Sequence, residues 1–259
     1  MSGGVSMKSQ REPISLVFLA YNEIETIEQE VRDFKAEIVD KLPGSEFIVA
    51  EDGSTDGTHE VLQRLQKEIG IIHLTSGERK GYRKALLDSI ASTKSGYVFF
   101  CDTGRKHDAQ DFWKLYERRH DADLIVGRKT DREDQWYRKL FTKVYNTLIR
   151  WYFRVKGVHD CDSGFRLFTR AVADGVYCGG QLFFRELPAS EIVIRTIALG
   201  YRYLEVPVAY HQRLGPSRGL PNKKLPGVII GAIRNLRKLK KEVKSRLKEI
   251  RKARIGAGA

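Results

Sequence analysis

Four times in the first half of the chain a short, uninterrupted apolar run gives way to a polar loop and then to a helical spacing of apolar residues. The first run is Ile14–Ala20 (ISLVFLA), followed by Tyr21-Asn22-Glu23. Ile24, Ile27, Val31, Phe34 and Ile38 then recur three or four apart, which predicts a helix over 24–39. Residues 46–50 form the second run and end in EDGSTDGT (51–58), where Gly53 and Gly57 permit tight turns and Asp56 or Thr58 can cap the next helix, 59–68. The third run, 71–74, precedes a basic loop and a helix over 81–93. The fourth, 98–101, stops at Asp102, and a helix beginning near Asp108 carries Phe112, Trp113 and Tyr116 on one side. A further short strand, 124–126, ends at Gly127-Arg128. Continuous rather than alternating apolar runs mark strands buried on both faces, and strand–helix alternation predicts a doubly wound parallel sheet. In such sheets ligands bind beyond the carboxyl ends of the strands, so Asp102 is expected at the floor of a site.

The pattern then changes. Residues 131–155 are helical in spacing but rich in Arg, Lys, Trp and Tyr, suiting either a helix that caps the sheet or a lid at an interface. DCDSGFRLFTR (160–170) follows, with a turn at Asp162-Ser163-Gly164; 191–199 reads as a helix, 201–210 as a strand pair broken at Pro207, and RLGPSR (213–218) as a loop. From about Leu225 a long helix is expected, with Ile229, Ile233, Leu236, Leu239, Val243, Leu247 and Ile250 on one stripe and Lys and Arg opposite.

Charge sharpens this division. The net charge is +13, yet residues 223–254 hold thirteen Lys and Arg against two Glu, leaving the remainder near neutral. The tail suits an anionic membrane surface, a partner helix or its own domain, and nucleic acid is not expected because no binding motif accompanies the charge. A hydrophobic content of 41% excludes a disordered chain. Three cysteines without metal spacing, and an amino terminus without an apolar signal-like segment, lead to the expectation of a cytoplasmic protein, peripheral on the inner face of the membrane. G-x-G-x-x-G after the first strand and a Walker A sequence are both absent, which argues against dinucleotide and P-loop nucleotide sites.

Individually the loop motifs are weak; their order is specific. YNE after strand one, EDGSTDGT after strand two, GERKGYRKAL after strand three, Asp102 after strand four, then DSGFRLF and RLGPSR, resembles the inverting family 2 glycosyltransferases of GT-A fold. Within them it is most similar to dolichol-phosphate mannose synthase and related polyprenyl-phosphate sugar transferases. The resemblance spans about residues 13–218, with 1–12 expected to be disordered and 219–259 to form the basic amphipathic helix and tail. It implies an α/β fold, a GT-A (Rossmann-like), mostly parallel sheet flanked by helices.

What the resemblance implies for the site follows residue by residue. Ala20, Tyr21, Glu23, Asp52, Gly81, Arg83, Lys84, Asp102 and Lys106 would bind a nucleotide-diphosphate sugar, GDP- or UDP-linked. Carboxylates suit the N–H edge of uracil or guanine. Asp102, Arg128 and Arg213 would carry catalysis. Arg132, Arg138, Ser163, Arg166, Ser217 and Arg218 would hold the acceptor and phosphates, since arginine grips phosphate bidentately. A polyprenyl phosphate is already a nucleophile and needs cations rather than a base. With a hydroxyl acceptor, Asp160, Asp162 or Glu191 would be the base. The family's Asp-x-Asp, which implies Mg2+ or Mn2+, reads here Asp102-Thr103-Gly104-Arg105-Lys106, leaving Asp102 as the metal carboxylate and Arg105 or Lys106 to supply missing positive charge. A transferase, or a nucleotide-sugar-binding protein that has lost catalysis, both fit these motifs.

Overall fold

The computed structural model describes residues 11–130, 136–153, 157–184, 187–212 and 225–256. Seven strands form one sheet in the order β3-β2-β1-β4-β6-β5-β7. The amino-terminal half alternates β1 (Ile14–Ala20), α1 (Ile27–Phe34), β2 (Glu46–Glu51), α2 (Thr58–Ile69), β3 (Ile72–Thr75), α3 (Tyr82–Ala91) and β4 (Tyr97–Asp102). These four strands pair in parallel. Successive residues serve opposite faces: Leu16 and Phe18 pack with Ile27, Val31 and Phe34 on one side, while Val17 joins Val98, Phe100 and Ile90 on the other. Burial on both faces is why these strands read as unbroken apolar runs.

The second half departs from the expected winding. After α4 (Phe112–Tyr116) and β5 (Leu124–Lys129), the chain forms α5 (Trp136–Phe153) and returns as β6 (Phe165–Thr169), which slots antiparallel between β4 and β5. The residues just after the Asp162-Ser163-Gly164 turn, for which no strand is expected, thus form an interior strand, and the sheet is mixed. Arg166, the second residue of that strand, masks its apolar signal. α6 (Arg170–Val172), α7 (Pro188–Ala198) and β7 (Tyr203–Val208) follow. β7 is one continuous strand parallel to β5, not a pair, because Pro207 lies on the sheet's edge, where its missing N–H breaks no ladder bond.

α8 (Leu225–Gly256) lies against the domain. Leu236, Leu239 and Val243 are buried with Leu182, Phe184 and Val193. Asn235 donates to Phe183 O (3.0 Å) and Arg246 to Gly175 O (2.8 Å). At the centre of this contact the fully buried Arg195 bridges Glu191 (2.7 Å) and Glu242 (2.6 Å). The described part of the apolar stripe therefore covers its own core, while Arg234, Arg237, Lys238, Lys241, Lys244 and Lys248 remain exposed on α8.

Candidate active site

Register brings the loop residues to one rim. Leu19 pairs with Asp102 and Ala20 with Glu51, so the ends of β1, β2 and β4 align. Beyond them lies a cavity of about 250 Å3 lined by Ala20, Tyr21, Glu23, Asp52, Arg79, Tyr82, Asp102 and Lys106, among others. Asp52 closes one wall. Its carboxylate accepts from Lys80 N (2.7 Å) and Gly81 N (2.9 Å), pinning the basic loop across the pocket. Gly53 makes the closure feasible: its φ is +70°, and a Cβ there would meet Arg79 N at 2.7 Å. The Arg79 guanidinium lies 3.8 Å from the centroid of the Tyr21 ring. Glu23 is buried and takes Thr58 Oγ1 on its backbone N–H at 2.8 Å.

Asp102 forms the floor. Its Oδ1 accepts from Tyr82 Oη (3.1 Å), and Lys106 Nζ lies 3.6 Å from Oδ2. Burial pushes the carboxyl up, but Lys106, with Tyr82 and Lys129, outweighs it and holds Asp102 below the usual carboxylate range. A Cβ at Gly164 would fall 2.0 Å from Asp102 Oδ2, so the DSG turn must carry glycine for Asp102 to lie where it does. Nearby, Lys129 Nζ approaches Asp160 Oδ1 at 3.8 Å. Asp162, two residues on from Asp160, is exposed. Burial, with Lys106 and Lys129, lowers His107 to about 3, leaving a neutral imidazole 3.3 Å from Ala209 O.

Several expected contacts go elsewhere. Arg166 is 1% exposed and donates to the carbonyls of Ser163 (2.5 Å), Ala189 (3.0 Å) and Cys161 (3.1 Å), so its fork holds backbone rather than facing a phosphate. Ser163 is fully buried beside it. Glu191, engaged by Arg195 and by the N–H groups of Phe183 (2.7 Å) and Phe184 (2.6 Å), is not placed to act as a base. Arg83 turns from the pocket to Leu182 O at 2.9 Å, and Lys84 is exposed on α3. Arg105 adopts φ +51° and reaches Asp33 at 3.5 Å, which leaves Lys106 as the cation on Asp102. Arg128 is half-buried at the end of β5 opposite Pro207. Arg132, Arg213, Ser217 and Arg218 lie outside the described residues, as does the side chain of Arg138.

Sequence reading missed Glu30. From α1 its buried carboxylate accepts from Gly104 N (2.9 Å) and Arg105 N (3.0 Å), so it shapes the loop after Asp102 from 74 residues away. A Glu on the apolar face of a helix was the available signal. Arg79, Tyr82 and Lys129 were missed as well, being ordinary in local context.

The family model for glycosyl transferase family 2 matches residues 15–176, which carry every strand at this rim. The chain belongs to that family. Glycosyltransferase AglD of Haloferax volcanii is 30% identical over 213 residues, covering 77% of this chain and 33% of that protein. Undecaprenyl-phosphate 4-deoxy-4-formamido-L-arabinose transferase of Sodalis glossinidius is 24% identical, covering 78% of this chain and 61% of that protein. The chain thus spans a third to three-fifths of the length of these curated relatives. Among solved structures, glucosyl-3-phosphoglycerate synthase of Mycobacterium tuberculosis, with Mn2+, UDP and phosphoglyceric acid, superposes with a TM-score of 0.68 at 20% identity, over 88% of this chain and 78% of that one. The fold is accordingly GT-A-like.

For this family 2 chain the expected metal position fits a divalent ion poorly. Such an ion wants several oxygen ligands. The loop offers Asp102 alone: Gly104 has no side chain, its N–H is taken by Glu30, and Lys106 already places a cation beside the carboxylate.

Proposed function

We propose that this chain is an inverting glycosyltransferase that takes a nucleotide-diphosphate sugar and passes the sugar to a polyprenyl phosphate at the cytoplasmic membrane face. The observation that carries the reading is the rim cavity, where Asp52, Glu23 and Asp102 converge with Arg79 and Lys106. The carboxylates of Asp52 and Glu23 suit the N–H edge of a UDP or GDP base, and Arg79 and Lys106 in the same cavity supply cations for its diphosphate. Mg2+ or Mn2+, the expected ion of the family, would find one carboxylate here, so Lys106 is assigned the charge that steadies the departing diphosphate. Relatives named for undecaprenyl phosphate support the acceptor class. A phosphate nucleophile needs positioning rather than a general base; of the three carboxyls that could serve a hydroxyl acceptor, Glu191 is ion-paired and Asp160 lies against Lys129, which leaves Asp162 for the hydroxyl reading. A wider concavity of about 720 Å3 beyond the Asp102 loop mixes Asp33, Glu37 and Asp108 with Arg105, His107 and His211.

The exposed cations of α8 give the membrane role its basis: juxtamembrane Lys and Arg each contribute about 1 kcal/mol at an anionic surface. Among the described residues no helix is long and apolar enough to cross a membrane. The test is release of nucleoside diphosphate from a panel of UDP- and GDP-sugars. Release that requires polyprenyl phosphate supports the proposal. Release with a glycan hydroxyl instead points to the other transferase reading, and tight donor binding without turnover to a binding protein.

A further inference from the structure

A second constellation of ligating groups stands at the outer edge of the sheet, behind the nucleoside wall. β3 is the edge strand, and its register sets His73 against Val49 and Thr75 against Glu51. Residues two apart on a strand share a face, so His73, Thr75 and Glu51 emerge together. The first turn of α2 brings His59 onto that face. His59 Nδ1 lies 3.4 Å from Glu51 Oε2, and the His59 and His73 rings are 5.1 Å apart between centroids. One ligating atom from each of Glu51, His59 and His73 lies within 4.8 Å of the other two.

We propose that Glu51, His59 and His73 form a transition-metal site, best matched to Zn2+. Two imidazoles and a carboxylate are the borderline donor set that Zn2+ takes in three-ligand sites, whereas Mg2+ prefers oxygen alone. Bonds of about 2.0–2.1 Å in a tetrahedral shell put neighbouring donors roughly 3.3–3.4 Å apart, which the Glu51–His59 separation already meets. A His59–Glu51 ion pair by itself would account for that one distance. It does not account for His73, whose Nε2 is buried without a hydrogen-bond partner. Buried ring nitrogens are normally satisfied, and a bound cation is one way to satisfy this one. Thr75 Oγ1, 3.2 Å from Glu51 Oε2 and 3.4 Å from His59 Nδ1, adds a polar neighbour that can orient the carboxylate. The site is tied to the pocket through Glu51, whose other oxygen accepts from Ser54 N in the EDGS loop, two residues on from where Asp52 begins the nucleoside wall. An ion here braces that loop from behind and is separate from any ion carried in with a donor diphosphate.

The test titrates Co2+, as a spectroscopic stand-in for Zn2+, into the full chain without nucleotide, with Zn2+ competition and thermal melting in parallel. The expected result is the intense visible absorption of four-coordinate Co2+, displaced by Zn2+ and indifferent to Mg2+. His73→Ala and His59→Gln should each weaken binding by about a hundredfold, since even outer partners of a metal site contribute about 10–100-fold. Zn2+ should raise the melting temperature of the parent chain and not of these variants. His59, on a half-exposed helix turn, keeps the test available if His73→Ala fails to fold. Asp102→Asn and Cys178→Ala should leave Co2+ affinity unchanged. Affinity that survives the histidine substitutions, or that is lost with Asp102→Asn or with the exposed Cys178, overturns the assignment.

Discussion

Replacing Glu30 by Gln tests whether the loop beneath the pocket is shaped by a carboxylate that resists ionisation. Glu30 is 2% exposed, and burial raises it to about 7, against the opposing pull of the Gly104 and Arg105 N–H groups and Lys106. The sign follows from linkage. A carboxyl whose folded value lies above its unfolded value of 4.5 binds its proton more tightly when folded. Its contribution to stability is therefore greatest at low pH and is lost as the pH rises from about 4.5 through about 7. A shift of that size corresponds to about 3 kcal/mol between the ends of the window, at about 1.4 kcal/mol per pH unit. Gln is the neutral isostere of the protonated acid, so the variant should lack this slope. Urea unfolding of both proteins from pH 4.5 to 8.5 measures it: similar stabilities at the acid end, and the variant more stable by about 3 kcal/mol at the alkaline end. A difference that does not change with pH would refute the reasoning. So would a parent chain that gains on the variant as pH rises, because the two N–H bonds would then outweigh desolvation and Glu30 would be an ordinary ionised cap.

Three further outcomes are expected. Arg195→Ala should destabilise by about 3–5 kcal/mol, because it strands the fully buried Glu191 without its cation; a loss below about 1 kcal/mol in chemical denaturation would count against the bridge between α7 and α8. Lys106→Ala should lower kcat by about 100- to 1000-fold with the preferred donor and acceptor while EDTA leaves the parent enzyme nearly unchanged, whereas full inhibition by EDTA would return the leaving-group role to a metal. Exchanging Arg237, Lys238, Lys241 and Lys244 for Gln should weaken binding to anionic vesicles by about a hundredfold or more in co-sedimentation, without altering the melting temperature; unchanged vesicle binding would remove the membrane role of α8. Removing α8 outright is a poorer experiment, because it uncovers Leu182, Phe184 and Val193.

The sequence by itself determined what local periodicity and loop chemistry can carry. Unbroken apolar runs gave the parallel half-sheet, and the order of YNE, EDGSTDGT and Asp102 placed Ala20, Tyr21, Glu23, Asp52 and Asp102 on one rim, because every parallel strand ends on the same side. Tertiary structure alone decided the rest, and in each case the missing information was a partner far away in the chain. β6 was hidden because Arg166 breaks its apolar run, and only the carbonyls of Cys161, Ser163 and Ala189 make that arginine tolerable inside a sheet. Glu30 reads as one polar residue on a helix until Gly104 and Arg105 present their N–H groups to it. The stripe of α8 by itself suited a lipid surface as well as protein, with the lipid surface the first expectation, since hydrophobic spacing records that a face is buried but not against what; Leu236, Leu239 and Val243 are spent on the domain's own core, which leaves the charged face to meet anything else.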